Sequence, residues 1–118
     1  MRSNILMINE TLDAATPFSG ALEARRRFPT ASLIEGVGGT THAGSLSGIA
    51  CTDNAIGQYL TDGTVPARKP GNRADLKCPP VPQPDPSPAA ASAAKGAAKA
   101  PAGAVDRLRE GLASAQVR

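Results

Sequence analysis

"NILMINETLDAATPFSGALEARRRFPTASLIEGV", residues 4–37, is the stretch whose reading decides the fold. It opens on "NILMI" (4–8), a continuous apolar run that at this length suits a strand covered on both faces, as in a parallel sheet. Thr16 followed by Pro17 predicts a helix start, with the threonine hydroxyl as N-cap and the proline at the first helical position. Phe18, Ala21, Leu22 and Phe28 then share one face at spacings of three and four, and Pro29 ends the helix. "ASLIEGV" (31–37) reads as a second strand, with Leu33, Ile34 and Val37 as its apolar members. Strand, helix and strand in so short a span make a βαβ unit, which predicts two parallel neighbouring strands joined by a right-handed crossover.

Working outward, "SGIACTDNAIGQYL" (47–60) predicts a second helix, with Ile49, Ile56, Tyr59 and Leu60 near helical periodicity and Gly63 as its C-cap. Two strands leave one edge unpaired and one face uncovered, so the chain reads as the end of a larger parallel sheet. Beyond Cys78 the composition changes. "PPVPQPDPSPAAASAAKGAAKAPAGA" (79–104) has 17 Pro or Ala in 26 residues and one large apolar side chain, Val81. Such a stretch cannot bury enough surface to offset its ordering entropy, and is expected to be a disordered Pro/Ala-rich linker. In "VDRLREGLASAQV" Val105, Leu108 and Leu112 line one side, so a short amphipathic helix is predicted within 105–118. The organisation expected is α/β: a folded βαβ-α piece at 1–78, then linker, then short helix.

The composition excludes several classes. Thirteen basic and ten acidic residues in 118 give a net charge of +3, with three aromatic residues and no tryptophan. The basic groups are dispersed, and a nucleic-acid surface would want a basic stripe with stacking aromatics, so no nucleic-acid partner is expected. The run Arg25, Arg26 and Arg27 is expected to be a solvated helix face, the alternative being an anion or partner contact. No apolar stretch approaches the roughly 20 residues of a membrane helix. "MRSNILMINE" lacks the apolar core of a signal peptide. Cys51 and Cys78 are compatible with one bridge, worth roughly 3 to 4 kcal/mol, or with two reduced thiols. One histidine and two distant cysteines do not assemble a tetrahedral metal shell, and no metal or cofactor is expected.

The chemistry collects in two loops. In open parallel sheets reactive groups lie beyond the carboxyl ends of the strands. Asp13 lies five residues after the first apolar run, and His42, the sole histidine, five after Val37 in "GGTTHAGS" (38–45). Parallel neighbouring strands would put both loops on one sheet edge. There an aspartate can fix one imidazole nitrogen while the other takes a proton from a nucleophile. Either residue alone also has a plain reading, Asp13 as a turn carboxylate capping amides and His42 as an exposed loop side chain. The order Asp then His is that of α/β-hydrolases, whose nucleophile sits earlier in G-x-S-x-G. None of the eight serines lies in that motif, and "GSLSG" (44–48) has the wrong spacing.

The stretch from "NILMI" through "DAATP", the histidine loop, the helix with Cys51, "DGTVP" and the final Cys78 resembles the C-terminal region of the tripeptidyl-aminopeptidase-like α/β-hydrolases, which are largely secreted serine peptidases. The resemblance covers roughly residues 4–78. It implies an α/β-hydrolase parallel sheet, Asp13 as triad acid, His42 as general base and Cys51–Cys78 as a disulfide. Thr16 and Pro17 match its helix start. Glu10 departs from it, standing three positions before Asp13 where the pattern usually has a small residue, and two threonines precede His42. The resemblance also implies secretion, with the address outside this chain, and a peptide substrate once a Ser-bearing portion or a complementing chain supplies the nucleophile. The isolated chain is expected to be inactive. The alternative function is a non-catalytic remnant or protein-binding module that keeps the βαβ scaffold.

Overall fold

The computed structural model describes residues 3–88. Five elements follow one another: β1 (Ile5–Glu10), α1 (Phe18–Arg27), β2 (Ala31–Gly36), α2 (Ala50–Asp62) and β3 (Leu76–Cys78). The strands form one parallel sheet in the order β1-β2-β3, with Ile5 opposite Ala31 and Glu10 opposite Gly36, and with Ile34 opposite Leu76 and Gly36 opposite Cys78. This is the α/β, βαβ-α arrangement expected, extended by a third strand of three residues that the sequence reading missed. Three residues are too few for periodicity to register.

Burial differs from the expectation in an instructive way. The apolar β1 is partly exposed, Ile5 markedly so, because among the described residues only β2 pairs with it. It is β2, "ASLIEG", that is buried along its whole length, since it sits between two strands and under α1. Its polar members are satisfied: Ser32 donates to the Pro66 carbonyl at 2.7 Å, and Glu35 accepts from Thr11 Oγ1 at 3.0 Å. Leu33 and Ile34 are fully buried. Val37, read as a strand member, lies past the strand end and is exposed, as is Phe28 at the end of α1. Leu60 is exposed on α2, whereas Ile56 is buried. Gly63 does cap α2, at φ 76°, donating to the Tyr59 carbonyl at 2.8 Å.

Two further expectations are corrected. Arg26 and Arg27 are exposed and pair with Glu23, but Arg25 is buried and fastens the 66–75 loop to α1. Its guanidinium donates to both Asp75 oxygens, at 2.8 and 2.6 Å, and to the Gly71 and Lys69 carbonyls. A run of three arginines on a helix cannot all face water when the third turn meets a returning loop. Thr16 does not cap α1 either. The N-cap is Pro17 with no side-chain bond, and the Thr16 hydroxyl turns the other way, toward Asp13. Cys51, in the first turn of α2, is bridged to Cys78 at the end of β3, with Cα atoms 5.6 Å apart.

Residues up to Val81 form one compact unit. In the following segment the Asp85 carboxylate accepts from the Ser87 N–H at 2.9 Å. The helix expected within 105–118, and the linker from residue 89 onward, lie outside the described residues.

Candidate active site

β1 and β2 end side by side, and the turns that leave them are tied together. Thr11 N–H donates to the Gly36 carbonyl at 3.1 Å and Leu12 N–H to the Gly39 carbonyl at 2.8 Å. The Thr11 hydroxyl accepts from Gly38 N–H at 2.9 Å, and Gly38 takes the positive φ of 76° that this turn demands. The β1 turn carries Asp13 and the β2 turn carries His42, so both arrive at the carboxyl edge of the sheet, as the sequence predicts.

Asp13 is held from several sides. Its Oδ1 accepts from Ala15 N–H at 2.9 Å and Thr16 N–H at 3.0 Å, and its Oδ2 from the Thr16 hydroxyl at 2.7 Å and Asn9 Nδ2 at 3.3 Å. Its side chain is 1 % exposed. The Thr16 N–H and hydroxyl, above all, together with His42 and Ala15 N–H, hold its carboxyl well below the usual carboxylate range against the opposing effect of burial. Asp13 is therefore an ionised acceptor at neutral pH.

His42 Nδ1 lies 3.0 Å from Asp13 Oδ2, 3.2 Å from Asp13 Oδ1 and 3.3 Å from Thr16 Oγ1. An ionised carboxylate only accepts, and the Thr16 hydroxyl already donates to it, so the proton between ring and acid belongs to Nδ1. In the neutral ring the lone pair is then on Nε2. The ring is 57 % exposed, in contrast to its partner. The arrangement can accept a proton at Nε2 while the acid stabilises the charge that results.

Asp13 thus both caps the amides of its own turn and faces the histidine. The residue that sequence reasoning misassigned is Thr16. Asp13 accepts from the amides two and three residues on, an Asx turn that draws Thr16 toward the carboxylate, and that tendency competed with the helix-start signal of Thr-Pro. Asn9 was not singled out at all; it donates to both Asp13 and the Thr16 carbonyl from the end of β1. Among the described residues, no serine hydroxyl or thiol shares a hydrogen bond with His42. Thr16 meets the ring on the nitrogen that faces the acid, the wrong side for a nucleophile. No group of three or more His, Cys, Asp and Glu capable of holding a metal occurs among the described residues.

An acid and an imidazole on adjacent loops, at the carboxyl ends of neighbouring parallel strands, with the order Asp then His and a disulfide behind them, define the C-terminal region of an α/β-hydrolase. More particularly, the TAP-like protein family model matches residues 1–78, and the chain belongs to that family. It is 32 % identical over 76 residues to carboxylesterase B of two Mycobacterium tuberculosis strains, CDC 1551 and H37Rv. The match takes in 64 % of this chain but only 13 % of the length of those relatives. No solved structure gives a significant match.

Proposed function

We propose that the chain supplies the general base, His42, and its orienting acid, Asp13, to a serine hydrolase that works by acyl transfer. The observation that carries this is the 3.0 Å contact between a buried, ionised Asp13 and the Nδ1 of a half-exposed His42. The serine and the oxyanion-hole donors belong to the remainder of the hydrolase. His42 Nε2 takes the serine hydroxyl proton as the serine oxygen bonds to the substrate carbonyl carbon. It returns that proton to the leaving group as the scissile bond breaks, and the cycle repeats with water. Asp13 remains a carboxylate throughout. The resemblance to tripeptidyl aminopeptidases favours a peptide with a free amino terminus, and the curated relatives are named as carboxylesterases; both reactions pass through the same tetrahedral intermediate. The Cys51–Cys78 bridge supports a secreted enzyme.

The test compares hydrolysis of an aminoacyl p-nitroanilide and a p-nitrophenyl ester by the oxidised 118-residue chain, alone and co-expressed with a Ser-bearing α/β-hydrolase portion. No turnover is expected alone. Turnover is expected in the complemented enzyme, lost on His42→Ala, and the preferred substrate separates peptidase from esterase. Turnover by the chain alone that His42→Ala abolishes would overturn the assignment of the nucleophile to another part.

A further inference from the structure

Glu10 is a buried carboxylate that the proposed chemistry does not use. It is the last residue of β1, it is 4 % exposed, and no Lys, Arg or His pairs with it among the described residues. Its partners are backbone amides instead. Oε2 accepts from Thr41 N–H, and Oε1 accepts from Val81 N–H at 2.8 Å. The first amide belongs to the residue before His42. The second belongs to the segment that follows the disulfide, whose Val81 side chain also comes down beside Gly44 in the histidine loop.

The space for Glu10 is made by glycines. A Cβ added at Gly36 would sit 2.8 Å from Glu10 Cγ, and one at Gly39 would fall inside van der Waals contact of its carboxylate. The carboxylate is thus pressed under the glycine turn that leads to His42, and both its oxygens are occupied by main-chain donors. An acid is suited to this place because it offers acceptors in two directions and has no donor to set against an N–H.

His42 needs such an anchor. Its ring is 57 % exposed, so packing does not fix it, and the next residue, Ala43, has a left-handed φ of 55° that a non-glycine residue adopts only when its surroundings impose it. The loop can hold the ring over Asp13 only if its backbone is fastened just before the histidine. We propose that Glu10 is a positioning residue for His42, clasping the histidine loop at Thr41 and the post-disulfide segment at Val81 to the end of β1.

The test uses the oxidised full chain, in which the sole histidine gives an unambiguous signal. Long-range 1H–15N correlation spectra report which ring nitrogen is protonated, and amide exchange reports on Thr41 and Val81. In the unaltered chain the Nδ1–H form is expected to dominate and both amides to be protected. Glu10→Gln fills the same pocket but keeps one acceptor oxygen of two. It is expected to lose the Nδ1–H preference and to speed exchange at Thr41 or Val81 roughly tenfold, the effect of one lost hydrogen bond. Gly39→Ala, which displaces the carboxylate, is expected to do the same, and Glu10→Ala with Gly39→Ala to be no worse than Glu10→Ala alone.

A Glu10→Gln spectrum of His42 identical to that of the unaltered chain would overturn the proposal. So would free exchange of the Thr41 and Val81 amides in the unaltered chain, a measurement that needs no variant to fold. In the complemented hydrolase Glu10→Gln is expected to lower kcat with KM little changed. Only this kinetic arm rests on His42 as general base. An Nδ1–H preference that survives in Asp13→Asn would instead break the Asp13–His42 reading, while amide exchange continues to judge the clasp.

Discussion

Asp13 and Asp75 are built from the same parts and put to opposite ends. Each is a buried carboxylate, each accepts two main-chain amides, and each faces a nitrogen base from a distant part of the chain. Asp75 is closed on all sides. Arg25 grips it with two nitrogens, is itself 3 % exposed, and also donates to two carbonyls of the same loop. Asp13 faces a ring that is more than half exposed and has a nitrogen left over. The difference that decides their use lies in the partner. A permanent cation buried with a hydrogen bond on each of its three nitrogens makes a staple, whereas a titratable ring held by one nitrogen at the rim makes something able to move a proton.

The comparison predicts that the two aspartates fail differently. In the complemented hydrolase, Asp13→Asn is expected to lower kcat by about 10⁴, because the amide can hold the ring in the wrong tautomer, while the folded state survives. A steady-state assay beside a urea unfolding curve checks both halves; a large loss of folding with little loss of rate per folded molecule would make Asp13 a staple like Asp75. Arg25→Met reverses the signature. It leaves Asp75 buried without its cation, and should cost about 3 to 5 kcal/mol of stability. The measurement is the shift of the urea midpoint, and a shift near zero would mean that the 66–75 loop is held by its other bonds.

The two places differed in how legible they were in the sequence. The strand-helix-strand pattern was readable because Thr-Pro, Pro29 and two apolar runs are local signals, and from it followed the parallel pairing that brings Asp13 and His42 to one edge. Arg25–Asp75 was not readable. The two residues are fifty positions apart and meet only because β3 returns beside β2, and β3 is too short to announce itself. For the same reason Arg25 looked like its neighbours Arg26 and Arg27. Thr16 was misread through competition: its Thr-Pro signal for a helix start is stronger in sequence than its spacing from Asp13. Glu10 showed itself only as an oddity, since neither glycine that makes room for it, nor Val81 beyond the disulfide, is near it in the chain.

A smaller effect follows from acid. Burial pushes the Asp75 carboxyl up, but Arg25 and the Lys69 and Leu33 amides outweigh it and hold it at about 2, against an ordinary 3.8. As pH falls the unfolded chain therefore takes the proton first. The contribution is fully present above about pH 4, shrinks as pH falls toward 2, and is on the order of 2 kcal/mol. Urea midpoints at pH 5 and pH 2 should show this loss, and in Arg25→Met the part due to Asp75 should be gone. Asp13 is lowered too, and its share is lost in the same direction, so an acid loss that Arg25→Met leaves unchanged would transfer the effect from the staple to the site.

The smallest effect separates a pair that looks like the staple but is not. Glu23 bonds Arg26 at 2.8 Å and Arg27 at 2.6 Å, distances as short as those of Arg25–Asp75, and the two arginines pull its carboxyl down to about 2. All three side chains are substantially exposed, the arginines about two-thirds so. Water competes for every donor and acceptor, salt screens the charges, and three long side chains lose rotamer freedom in meeting. Glu23→Gln is expected to leave the urea midpoint within error at 0.5 M salt and to lower it only slightly at low salt. A loss like that of Arg25→Met would mean that distance alone, and not the closing off of water, makes a staple, and the contrast between Asp75 and Asp13 would then need another cause.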